Sequence, residues 1–233
     1  MAVVECDGRT TREINVEIKR LVAKGETELS VSTPGARHNL GVAILESVHI
    51  TFDGSVGYYC AGMIDGPNVT VNGSAGWGLA ESMLNGVVTV NGNAGNGAAA
   101  SIRGGEVVIC GDVAARTAVS MKGGTVVVTG NCGYMAGFMA QQGTLIVCGD
   151  AGEAFADSMY EAVCFVGGKI AELGNDAVIQ ELTSTDKAAL IGTFDRHAID
   201  HTPSSINCFR KIVSGRKLWN FDKRDWTTWR EAL

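Results

Sequence analysis

Apolar and small residues recur along most of this chain in columns spaced 19 residues apart. Ile50, Val69, Val88, Val107, Val126, Leu145 and Cys164 form one column, and Phe52, Val71, Val90, Ile109, Val128, Val147 and Val166 form another two positions on. That two-residue offset puts both columns on one face of a strand. Each strand ends at a glycine, Gly54, Gly73, Gly92, Gly111, Gly130, Gly149 or Gly168, with Gly35 one period earlier. Three residues later comes a second small column, Gly57, Gly76, Gly95, Ala114, Gly133, Gly152 and Ala171. Val56, Ala75, Ala94, Val113, Cys132, Ala151 and Ile170, then Ala61, Ala80, Ala99, Ala118, Gly137 and Ala156, then Ile64, Met83, Ile102, Met121, Ala140 and Met159 complete the inward set. The period is too short for two packed helices and its residues are β-branched, so the pattern predicts an all-β parallel β-solenoid. About seven coils, expected to wind right-handed, would make a rod roughly 34 Å long. The glycines are expected at corners needing positive φ or close backbone approach.

Three segments follow from where the period holds. Residues 1–34 read as an N-terminal cap: a strand over Val3 to Cys6, then a helix opened by the Thr10/Glu13 capping box, striped by Ile14, Ile18, Leu21 and Val22 and ended by Gly25. Residues 35–173 are the solenoid. Residues 174–233 are a non-repetitive extension, with a helix expected over Asp176 to Leu190.

One outward column changes character along the rod. It reads Thr51, Thr70 and Thr89, then Val108, Val127, Ile146 and Phe165, while the next outward column reads Asp53, Asn72, Asn91, Cys110, Thr129, Cys148 and Gly167. A strand apolar on both faces is covered on both, so Val108, Val127, Ile146 and Phe165 are expected under the tail or a partner. From Ser205 onward seven Lys or Arg face three acids, against a net charge of −6 for the chain. Trp219, Phe221, Trp226 and Trp229, with Arg216, Lys217 and Arg224, are the expected docking anchors; an acidic chain with one short basic tail is a poor candidate for nucleic-acid binding.

Catalytic chemistry is sparse. The seven cysteines form no CxxC pair and read as core residues of a reducing cytoplasm. No secretory leader or long apolar segment is evident. Gly73 to Gly78 and Gly92 to Gly97 imitate phosphate loops, but no helix long enough to present its N-terminus follows. Ser55, Ser74, Asn93, Asp112, Asn131 and Asp150 read as a solvated polar ladder. His197 and His201 have the spacing of a metal pair without further ligands. No catalytic, cofactor or metal site is assigned. The outward columns hold no cluster of carboxylates and bases such as a polysaccharide-cleaving β-helix needs.

The coils GNAGNGAAASIRGGEVVICGD, MKGGTVVVTGNCGYMAGFMAQQG and GDAGEAFADSMYEA resemble the GXGXG repeats of the β-helix that ends the glutamate synthase large subunit. They are also similar to the C subunits of formylmethanofuran dehydrogenase and of the formyltransferase/hydrolase complex. Size, N-terminal segment and the SGRKLWNF stretch look most like the separate β-helix subunit of the N-methylglutamate synthase (methylamine–glutamate N-methyltransferase) family. That resemblance implies a cytoplasmic, hetero-oligomeric transferase complex whose partners are a class-II amidotransferase-like subunit and a subunit carrying FMN and an iron–sulfur cluster. This chain would be a scaffold without an active site or cofactor, consistent with Ala2 standing where an amidotransferase nucleophile would be cysteine. In the alternative, a scaffold in a formyl-transfer complex, the coils more often read GAGMKGG, and only Ser120 to Gly124 (SMKGG) comes close to that here.

Overall fold

The structure is a computed structural model and describes residues 1–200 and 203–218. Strand β1 (Ala2–Glu5) is followed by helix α1 (Thr11–Ala23) and β2 (Glu28–Ser32). The coils then supply β3 (His49–Asp53), β4 (Asp65–Val71), β5 (Asn85–Val90), β6 (Glu106–Ile109), β7 (Lys122–Val128), β8 (Gln142–Val147) and β9 (Val163–Val166), the leading strands of coils one to seven. After them come β10 (Ala177–Gln180), α2 (Ser184–Arg196), the short α3 (Pro203–Ile206) and β11 (Arg210–Ser214). The strands form one sheet in the order β1 to β9, then β11, then β10. Pairing is parallel from β1 to β9 and follows the 19-residue register from β3 onward, so Val71, Val90, Ile109 and Val128 stack in one column. A β-solenoid of about seven turns is the result, with the inward columns buried in a single core.

α1 begins with the expected capping box, and its Ile14, Ile18 and Val22 join that core. Asn15 accepts a hydrogen bond from the Gly41 N–H at 2.9 Å and donates one to the Asn39 carbonyl at 2.7 Å, tying the helix to the irregular first turn.

Two physical features of the coil were not visible in the apolar pattern. First, Ser55, Ser74, Asn93, Asp112, Asn131 and Asp150 do more than face water. Each accepts the backbone N–H of the equivalent residue one coil later, from Ser74 N–H on Ser55 at 3.0 Å to Lys169 N–H on Asp150 at 2.6 Å. Glycine is needed beside this ladder because of close approach. A Cβ on Gly130 would lie 2.4 Å from Asp112 Oδ1 and 2.7 Å from the Gly111 carbonyl oxygen. Second, the small column Ala61, Ala80, Ala99, Ala118, Gly137 and Ala156 lies buried at positive φ, centred in a left-handed, right-handed alternation. In coil one the Tyr59 and Met63 N–H groups donate to the following coil and the Ala61 N–H to the preceding turn, and these bonds offset the left-handed conformation.

The extension departs from expectation. Residues 177–180 form an edge strand antiparallel to β11, and the helix starts only at Ser184. A capping box sets that start: Thr183 accepts from the Asp186 N–H while Asp186 accepts from the Thr183 N–H. β11 in turn pairs antiparallel with β9 and ends the parallel stack.

Candidate functional site

The sequence-designated residues fall into three groups. The glycine column from Gly54 to Gly168 lies along the strand ends, each glycine but Gly54 closely approached by the preceding coil. Val108, Val127, Ile146 and Phe165 are buried in a second apolar cluster, separate from the solenoid interior, with Leu190, Phe194, Ile206 and Phe209. Their cover therefore comes from the chain's own α2, α3 and Phe209. Polar contacts fasten it. Glu106 on β6 meets His197 Nε2 at 2.5 Å and Arg196 at 3.0 Å, and Lys211 on β11 meets Asp186 at 3.0 Å. Burial alone would raise the Asp186 carboxyl, but hydrogen bonds from Thr183 and the Lys211 ammonium hold it below the usual carboxylate range. Lys217 donates its backbone N–H to the Asp176 carboxylate, and Arg216 lines a polar cleft of about 220 Å³ with Glu161, Gln180 and Lys211. Trp219, Phe221, Arg224, Trp226 and Trp229 lie outside the described residues, as does His201.

Sequence reasoning missed the opposite end of the rod. His38, Tyr58 and Trp77 stack in consecutive turns, with ring centroids 4.3 Å and 5.2 Å apart. Beside them a cleft of about 220 Å³ is lined by Asn39, Val42, Tyr59, Gly62, Met63, Glu81 and Ser82. The rings need the second glycine column. A Cβ on Gly76 would stand 2.6 Å from the Tyr58 ring, and one on Gly95 2.5 Å from Trp77. The following coil carries Asn96 at the ring position, and there the column tolerates Ala114. Glycine facing an aromatic one period back was the available signal.

Four of the seven thiols are held protonated, whereas Cys110 and Cys208 are exposed rather than in the core. Burial pushes Cys60 and Cys164 up to about 12 and Cys132 and Cys148 up to about 11. Among the described residues no three His, Cys, Asp or Glu side chains assemble as a metal-binding group, and no helix is long and apolar enough to cross a membrane. No family model and no curated protein matches the chain.

Proposed function

We propose that this chain is the scaffold subunit of a glutamate-synthase-like complex of the N-methylglutamate synthase type. In this reading it acts in the cytoplasm between an amidotransferase-like subunit and a subunit holding FMN and an iron–sulfur cluster. The complex would convert methylamine and glutamate into N-methylglutamate and ammonia. The observation that carries the reading is the coil itself: a 19-residue solenoid closed by two small-residue columns three positions apart, the arrangement that the GXGXG resemblance implies. Further support comes from the hydrogen bonding between coils. Backbone bonds and the polar ladder occupy the repeated polar groups, which suits a spacer better than an active-site wall.

The test is reconstitution. Co-expression with the two companion subunits is expected to give a stable complex containing this chain, and N-methylglutamate formation that disappears when it is omitted. Co-purification with formyltransferase-type subunits instead would transfer the assignment to the formyl-transfer complex, whose coil pattern only SMKGG at Ser120 to Gly124 approaches in this chain. Full activity of the other two subunits without this chain would overturn the scaffold role.

A further inference from the structure

We propose that the outward face of coils one and two is a docking surface for a polypeptide segment presenting arginine or lysine among apolar residues. Exposed large apolar side chains concentrate there: Tyr58, Tyr59, Met63, Trp77 and Leu84, with Leu45 in the turn just before coil one, are each at least 39% accessible. The charge is one-sided. Between His38 and Ile102 the sequence has no Lys or Arg and four acids, Glu46, Asp53, Asp65 and Glu81. Glu81 lines the cleft beside the Tyr59 ring and Met63, and among the described residues no cationic group pairs with it.

An aromatic face next to an unpaired carboxylate favours a cation, through the ring quadrupole and through Coulomb attraction, while a thioether packs along an aliphatic stem. The surrounding rings and leucines supply apolar area for flanking residues. A surface of acids alone repels nucleic acid and anionic lipid. At the other end the apolar column is already covered by Leu190, Phe194, Ile206 and Phe209, whereas the side chains of this face are exposed. The surface does not depend on which enzyme complex the chain serves.

The test titrates the full chain with a short amphipathic peptide of alternating arginine and leucine, and with its counterpart bearing glutamate for arginine, by calorimetry. The arginine peptide is expected to bind, and the glutamate peptide to bind at least tenfold more weakly. Glu81→Gln, isosteric at a half-buried position, and Tyr59→Ala are each expected to weaken the arginine peptide at least tenfold. Tyr134→Ala, in the same outward column as Trp77 but in coil five, should leave binding unchanged, and circular dichroism checks that each variant is folded. Equal binding of the two peptides, no binding of the arginine peptide, or affinity indifferent to both Glu81→Gln and Tyr59→Ala would overturn the proposal.

Discussion

Replacing Phe194 with alanine separates the two apolar clusters energetically. Phe194 is 1% accessible, packs with its ring centroid 5.8 Å from that of Phe209, and belongs to the cluster that includes Val108, Val127, Ile146 and Phe165. It makes no part of the solenoid core. Truncating a buried phenylalanine costs about 3–5 kcal/mol in lost transfer energy and residual cavity. The loss should fall on docking of the extension. At about 1.4 kcal/mol per tenfold, opening of α2 and β11 would become on the order of 10³ more frequent while the coils stay closed. Native-state hydrogen exchange reads this directly: amides of α2 and β11 should lose protection, and those of β4 to β7 should keep theirs. Phe52→Ala, the comparison, removes a ring from the main core and should lower the global unfolding midpoint instead. If Phe194→Ala left α2 protected, or loosened β4 to β7 by the same factor, the extension would not be a separately docked unit.

Gly130→Ala should destabilise by about 2–3 kcal/mol in urea denaturation, because its methyl would collide with the Asp112 oxygen that accepts the Asn131 N–H. Gly192→Ala, in the interior of α2 with open space around it, should instead stabilise by about 0.5–1 kcal/mol. Asp186 has a folded pKa below its unfolded value, so its contribution is full above about pH 4 and is lost as pH falls through the depressed value. Extension stability should accordingly drop on acidification, and Asp186→Asn should cost about 1–2 kcal/mol at pH 7 and flatten that drop. In native protein Cys110 and Cys208, both exposed, should react with an alkylating reagent, whereas Cys60 and Cys164 should react only after denaturation, as mass spectrometry of labelled peptides can show.

Inward positions were legible because their constraint is volume and polarity, which side-chain type reports directly. Val71, Val90, Ile109 and Val128 stack as their spacing requires. Backbone conformation is less legible. Ala61 and Ala99 look like residues chosen for a narrow interior, yet they also hold positive φ, a demand that alanine does not advertise. Asn93 and Asp112 look like solvent-facing polar residues, because the N–H each accepts belongs to a neighbouring coil rather than a neighbouring residue. The extension was misread for a related reason. Ile179 and Leu182 suit a helix stripe, but β11, some thirty residues later, offers residues 177–180 a partner strand. The capping pair Thr183 and Asp186 was the local mark of the true start.

The change from Thr89 to Val108 in one outward column divides the rod into halves with different chemistry. Up to coil three that column is half-buried threonine, the Lys- and Arg-free stretch prevails, and the aromatic face stands open. From coil four the column is apolar and closed by α2, α3 and Phe209, and Arg116 and Lys122, with Arg103 just before β6, enter the sequence. A solenoid coil touches mainly its neighbours, so little in the repeat itself forces both changes to fall at the same place. Self-coverage removes the later apolar strands from competition for partners and from edge-to-edge aggregation. It leaves the acidic, aromatic end as the distinguishable surface. Direction along the rod is thereby encoded in side chains that the 19-residue repeat leaves free to vary.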